Sequence, residues 1–289
     1  MPSSRATGGD EENRPRDQVR RIRHVKSGGR TARLGGQAGI LDARGAPTEA
    51  HVAMAMAART IVSMNKKELT LSDMKAAAGP FAHWLSAVRT SDLYGVTDGK
   101  KVGTYIEKLF KERLAKDFTF TLGNSARGID LPSIDTDLKC TSIVQPQSSC
   151  PFRNAKQEIV GLGYNLMVFV YKKTDDEATG TARLDIRNAV FIDRRRTADH
   201  GLSKFIRDTA LDATVPRDVR VEEIAARLAD KNVPVDENMR WAWAEEFADN
   251  PPLVGAITIS NALQWRLQYN RAIHIAGQGT MPGEVVDLA

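Results

Sequence analysis

The decapeptide YNLMVFVYKK, residues 164–173, restricts the possible folds more than any other stretch of this chain. It is a nearly continuous apolar run. In a strand, successive side chains point to opposite faces, so a run apolar on both faces belongs in the middle of a sheet that is covered on both sides. The flanking segments supply the covers and the neighbours. IRNAVFID (186–193) reads as a second strand, separated from the first by the polar loop TDDEATGTARLD. Upstream, VGTYIEKLFKERLAKDF (102–118) is the clearest amphipathic helix, with Tyr105, Ile106, Leu109, Phe110 and Leu114 forming its apolar stripe. FTFTLGN (118–124) alternates as a strand and ends in a Gly-Asn turn, and GIDLPS and DTDLKCTSIV add two short strand candidates. CPFRNAKQEIVGLG (150–163) reads as a helix entered at Pro151 and closed by glycine. The order helix, three strands, helix, strand, strand predicts an α/β (α+β) core: a mixed central sheet flanked by helices.

Four regions follow from the patterning. Residues 1–46 are rich in Arg, Gly and Ser without apolar periodicity and read as a disordered basic arm. Residues 47–101 read as a helical lobe: a helix opened by Pro47 and Thr48, then one after Ser72, a break at Gly79-Pro80, and another helix. Residues 102–196 form the α/β core. Residues 197–289 read as a helical C-terminal region for recognition or dimerisation, with helices over 220–231 and 236–248 and one capped at Ser260.

The net charge is +5, and residues 1–36, with nine Lys/Arg against four Asp/Glu, hold the whole excess. Such an arm either follows a phosphate backbone or only solvates. Stretches of about 18 apolar residues that would span a membrane are missing, as is the apolar segment of a secretion signal, so the expected location is the cytoplasm. The two cysteines, Cys140 and Cys150, form no CxxC pair, which argues against structural zinc. GVTDGKKVGT (95–104) fails as a phosphate-binding loop: three residues separate its glycines, and Lys101 stands where Ser or Thr should hold magnesium. No nucleotide cofactor is expected. Neither a GxSxG elbow nor an H-x3-H pair occurs, and HVK (24–26) lacks the aspartate a phospholipase-like motif needs.

The segment GIDLPSIDTDLKCTS (128–142) carries the chemistry. Acidic residues are poor strand formers, and a half-buried carboxylate needs a partner. Residues two apart share a strand face, so Asp137 and Lys139 project together while Leu138 turns inward. A hairpin-like return through Leu131-Pro132-Ser133 would bring Asp130 beside Asp137. Two converging carboxylates repel unless a cation lies between them. Oxygen ligands with room for water and phosphate suit Mg2+. A lysine beside them can steady a metal-bound water or a phosphate, which is a set for phosphodiester hydrolysis. The alternative is structural: turn-capping aspartates and a lysine paired on an edge strand.

Asp130-x6-Asp137-Leu-Lys139, in that order of elements, resembles the motif of the PD-(D/E)xK nuclease superfamily, which includes type II restriction endonucleases and the methyl-directed mismatch-repair nicking enzyme. The likeness covers residues 102–193, about a third of the chain. It implies a restriction-endonuclease-like fold and Mg2+ held by Asp130 and Asp137, with Lys139 catalytic. VGTYIE (102–107) is similar to the first-helix pattern in which a glutamate joins the metal. That maps onto Glu107, with Glu112 the alternative. Two positions depart from the pattern: Ile129 precedes Asp130, with Pro132 after it, and the second acid is Asp137 where glutamate is commoner in some branches.

The resemblance implies a site-specific endonuclease on double-stranded DNA acting as a homodimer. A strand-nicking repair endonuclease of the same fold and a non-catalytic DNA-binding protein are the alternatives. DNA contacts are expected from Gln145, Gln147, Ser148 and Ser149 and from the helix start at Arg153, Asn154 and Lys156, which could equally be solvated loop and helix faces. The same two readings apply to Arg194, Arg195 and Arg196, and to Gln264, Arg266, Asn270 and Arg271.

Overall fold

The structure is a computed structural model that describes residues 66–123, 128–150, 152–260 and 266–289. The chain divides into the units Met1–Thr60 and Ile61–Ala289, and every described residue belongs to the second. The expected arm, the helix expected over 47–64, Pro151 and Gln264 lie outside the described residues.

After β1 (Lys67–Glu68) comes α1 (Leu71–Ala87). Thr70 caps α1: its hydroxyl accepts from Asp73 N, and the Asp73 carboxylate accepts from Thr70 N. The break expected at Gly79-Pro80 does not occur, and α1 runs through Pro80 as one helix. Proline removes one helical hydrogen bond, but Met74, Ala78, Phe81 and Leu85, all buried, lie on both sides of it and hold the two halves to the same core. Gly79 serves another purpose. A Cβ there would sit 2.2 Å from the Leu288 carbonyl oxygen, so the glycine makes room for the backbone at Leu288.

β2 (Arg89–Thr90) leads to α2 (Gly99–Asp117), capped by Asp98. Val102, Ile106, Phe110 and Leu114 make its buried stripe, close to the expected one. β3 (Phe118–Thr119) is much shorter than the alternation of FTFTLGN suggests, and it pairs in parallel with β1. β4 (Thr136–Ser142), β5 (Gln147–Ser149) and α3 (Gln157–Val160) follow. The helix expected from Pro151 is therefore a single turn, closed at Gly161 with φ +96°. β6 (Asn165–Asp176) and β7 (Thr181–Ile192) form a long hairpin that absorbs most of the expected polar loop.

Beyond it lie α4 (His200–Leu211), which the sequence reading did not find, and α5 (Arg217–Asp230) and α6 (Glu237–Asp249), which it did. The helix expected from Ser260 is replaced by β8 (Thr258–Ser260), β9 (Arg266–Gln268), a later helix α7 (Asn270–Gln278) and β10 (Val285–Asp287).

The central sheet is mixed, as expected. It has the order β10-β7-β6-β4, with β2 also on β7; β4 and β6 are parallel and the other pairs antiparallel. β6 explains the opening run. Met167, Phe169 and Tyr171 face one core, shared with α1 and α2, whereas Leu166, Val168 and Val170 face a second, shared with Leu267, Tyr269 and Ile275. A third core joins α3 to the three following helices through Ile159, Leu202, Ile206, Ile224, Leu228 and Phe247. β5, β9 and β8 form a separate antiparallel sheet. Among the described residues, no helix is long and apolar enough to cross a membrane.

Phe81, Phe110 and Phe169 meet at ring-centre distances of 4.9, 5.0 and 5.3 Å and tie both helices to the central strand. Phe169→Ala is expected to cost about 3–5 kcal/mol, read as a lowered denaturation midpoint in urea. A loss under about 1 kcal/mol would mean that this triad does not anchor the sheet.

Candidate active site

The site is built on β4. Leu138 is fully buried beneath α2, so the pleat turns Asp137 and Lys139 to the other face. Asp130 reaches them by a tighter route than the expected strand. Leu131 and Thr136 exchange backbone hydrogen bonds of 2.9 and 3.2 Å across a 3-10 turn, Pro132–Ile134, closed by Asp135 with φ +46°. The antiparallel bridge that joins Leu131 to Thr136 leaves Asp130 and Asp137 as the next opposed pair. Gly123 makes the approach to Asp130 possible: its N–H donates to the Asp130 carbonyl, and a Cβ there would lie 1.7 Å from the Ile129 carbonyl oxygen.

Asp130 Oδ2 accepts from Leu138 N at 3.1 Å, and Asp130 Oδ1 is 2.5 Å from Lys111 Nζ. Asp137 is 2% exposed. Its Oδ2 is buried without a well-formed hydrogen bond, and its cationic contact is Lys139 Nζ at 2.7 Å. Burial pushes the Asp137 carboxyl up to about 6; the Lys139 ammonium opposes this and the Asp130 carboxylate reinforces it. Burial also works against the charged form of Asp130, but hydrogen bonding with Asp137 and Lys111 outweighs it and holds Asp130 below the usual range. Glu107 is pushed up to about 7 by burial and by Asp130. Burial disfavours charge on Lys139, yet Asp137 more than compensates and keeps its pKa above the ordinary lysine value.

The structure therefore brings Asp130, Asp137, Lys139 and Glu107 into one electrostatic unit. Glu112 is exposed and 3.8 Å from Lys108, and it lines the cleft beside Glu107 without joining this unit. Asp135 also turns away: it is exposed and 3.6 Å from Arg194. A cleft of about 370 Å3 opens beside the site, between α2 and the segment carrying Phe120 and Leu122, with Glu107 and Lys111 in its wall.

No group of three or more His, Cys, Asp or Glu among the described residues is gathered as a self-sufficient metal cage. Magnesium does not need one, since it is commonly held by one or two carboxylates with water and phosphate completing the shell. The adjacent carboxylates of Asp130 and Asp137 fit that requirement. Cys140 and Cys150 are free thiols, and burial pushes both above the usual thiol range, so neither is a poised nucleophile.

The expected DNA contacts separate into groups. Gln145 and Ser149 are exposed and Gln147 is half-buried. Ser148 turns inward, its hydroxyl 2.6 Å from that of the buried Tyr269. Lys156 is held by Glu246 at 2.6 Å and lies over the Trp243 and Phe247 rings. Asn154 accepts from Gln157 N, and Arg153 is exposed. Arg195 and Arg196 pair with Glu284. Asn270 and Arg271 begin α7, whereas Arg266 lies on β9.

The sequence reading missed Lys111, one helical turn after Glu107 on the same face of α2; that spacing was the available signal. It also missed Glu158 on α3. Glu158 is 1% exposed and neither carboxylate oxygen has a hydrogen-bond partner. Burial and the Asp199 carboxylate push it up to about 7 against the pull of Lys231.

A mixed sheet between helices, bearing paired carboxylates and a lysine on an edge strand, has the layout of an α/β nuclease. Over residues 68–283 the sequence matches the family described as type II restriction enzyme NspV. It is also 46% identical over 210 residues to the type II restriction enzyme NspV of Nostoc sp. (strain ATCC 29411 / PCC 7524), an overlap of 73% of this chain and 93% of that enzyme. The chain belongs to the NspV family of type II restriction enzymes. No solved structure matches it.

Lys111→Met removes the cation from a half-buried pair and leaves Asp130 facing two other carboxylates. In metal-free buffer near neutral pH this should cost about 1–2 kcal/mol, seen as a lower urea midpoint; an unchanged midpoint would show that the pair contributes nothing to stability. Glu158 has a folded pKa raised above its unfolded value, so the folded state binds the extra proton. Its stability penalty is absent below about pH 4.5, grows as pH rises to about 7 and is constant above. Glu158→Gln should be more stable than the parent by about 2 kcal/mol at pH 8 and little different at pH 4.5. Equal stability differences at both pH values would contradict this.

Proposed function

We propose that this protein is a Mg2+-dependent endonuclease that hydrolyses phosphodiester bonds in double-stranded DNA at a specific sequence, in the manner of a type II restriction enzyme with a PD-(D/E)xK site. The observation that carries the reading is the close pairing of Asp130 with Asp137, the latter's buried oxygen met by Lys139, in a chain of the NspV family.

Asp130 and Asp137 would hold the metal, and Glu107 would complete or position its shell from α2. When bound, Mg2+ neutralises phosphate charge and acidifies water. Lys139 stands 2.7 Å from Asp137 and brings a hydrogen-bond donor and a positive charge to the site. It orients the attacking water and stabilises the negative charge that builds on the phosphoryl oxygens. The water oxygen forms the new bond to phosphorus as the bond to the leaving sugar oxygen breaks; the attacking water gives a proton to solvent, and the leaving oxygen takes one from solvent to become a hydroxyl. Lys111 holds Asp130 aimed at the site. Two copies about a two-fold axis would present one such site to each strand of a symmetric target.

Incubating supercoiled plasmid with the purified protein should yield discrete linear fragments with Mg2+ and intact plasmid with EDTA. Relaxed circles alone would point to a nicking enzyme, and binding without cutting in either condition would remove catalysis from the proposal. Lys139→Ala should lower cleavage roughly 100-fold or more while DNA binding persists; full activity in that variant would overturn the role given to the lysine.

A further inference from the structure

The two lysines of the site are tethered differently. Lys139 rises from β4 two residues after its partner, and its ammonium meets the buried Asp137 Oδ2 at 2.7 Å. Lysine and acid share one strand, so neither moves without the other. Lys111 comes from a separate element, α2, and meets Asp130, whose side chain is 23% exposed. Lys111 also lines the cleft of about 370 Å3 beside the site.

The two oxygens of Asp130 are not equivalent either. Oδ2 accepts from Leu138 N at 3.1 Å, which fixes the carboxylate against β4. Oδ1 is the oxygen on Lys111 Nζ, at 2.5 Å. Oδ1 is therefore the oxygen left to a metal ion. A divalent ion and an ammonium on one oxygen of a half-buried carboxylate repel each other. The ammonium carries the smaller charge and sits on a flexible four-carbon stem, so it is the one that gives way.

The cleft receives it. Ala115, Phe120 and Leu122 offer apolar wall to the stem, along which a lysine can lie while its charged end stays in water. Lys108 lines the same cleft, three positions before Lys111 on α2. Residues three apart on a helix are neighbours, and two lysines side by side suit a phosphate group of a nucleic-acid backbone.

We propose that Lys111 is an exchangeable cation. It holds Asp130 until a divalent ion takes Oδ1; its ammonium then turns into the cleft and takes a phosphate of the bound duplex. Ion and DNA therefore each strengthen the binding of the other, by the same factor. The proposal rests on the nuclease reading for its ion and its DNA, but it can fail separately.

The test uses full-length protein and Ca2+, which takes the same kind of oxygen ligands. Calorimetric titration without DNA compares the parent with Lys111→Met and with Lys108→Met, which removes an equal charge from the neighbouring position. Lys111→Met should bind Ca2+ about 10-fold more tightly than the parent, and Lys108→Met should differ from it by less than about 2-fold. Lys111→Gln, which keeps a hydrogen-bond donor for Asp130, should tighten Ca2+ binding in the same direction and serves if the methionine variant does not fold. DNA binding is then measured across a salt series. In EDTA the parent and Lys111→Met should show equal salt slopes; in Ca2+ the parent's should be steeper by about 1. Unchanged or weaker Ca2+ binding by both Lys111 variants would overturn the proposal. So would equal tightening by Lys108→Met, equal salt slopes in Ca2+, or no Ca2+ binding by any of the proteins. If the parent cuts plasmid with Mg2+ but the Lys111 variants leave Ca2+ binding unchanged, the exchange fails alone. If the parent does not cut but both Ca2+ affinity and salt slope shift as stated, the nuclease reading fails and the exchange stands.

Discussion

The parallel pairing of β4 with β6 is the interaction on which the rest of the site depends. It runs in unbroken register from Thr136 opposite Asn165 to Ser142 opposite Tyr171. Because β6 is buried on both faces, its position is fixed by two cores, and β4 inherits that position through its hydrogen bonds. Asn165 secures the start of the pairing. Its backbone N–H donates to the Asp135 carbonyl at 2.7 Å, its side-chain Nδ2 donates to the Ile134 carbonyl, and its side-chain Oδ1 accepts from Arg194 N. A slip of one residue would exchange Asp137 and Lys139 with Leu138, sending a carboxylate into the apolar core beneath α2.

From that frame the electrostatics follow. The site gathers three carboxylates and two lysines under partial burial, and burial amplifies each interaction. The two lysines are not equivalent. Lys139 comes from β4 itself and meets the buried oxygen of Asp137, while Lys111 comes from α2 and meets the more accessible Asp130. Glu107, one turn before Lys111 on α2, is the acid pushed highest, up to about 7.

The parts of the site legible in the sequence were those set by local periodicity. A strand period of two made Asp137 and Lys139 partners and sent Leu138 inward. Pro132 and the short spacing suggested the return that brings Asp130 alongside, although the structure makes it with a single bridge and a 3-10 turn instead of a full strand. Lys111 was not legible, because its contact depends on how α2 is rotated against the bridge. Among the polar residues of β5, alternation separates Ser148 from Gln147 and Ser149. Only Tyr269, 121 residues away from Ser148, decides which of them turns inward. The Gly79-Pro80 pair misled for the same reason: local propensity reads as a break, but the buried residues on both sides and the close approach of Leu288 keep α1 whole.

By itself, the sequence determined the central strand, the amphipathic α2 and the facing pair Asp137 and Lys139, because side-chain period and burial are properties of neighbouring residues. The tertiary structure decided the rest: the single-turn α3, the C-terminal β8, β9 and β10 in place of one longer helix, and the union of β5 with β9. Strand pairing joins segments more than 100 residues apart, as Gln147 joins Gln268. Short polar segments take the structure their distant partners impose, because three residues of strand have too little intrinsic preference to choose it alone.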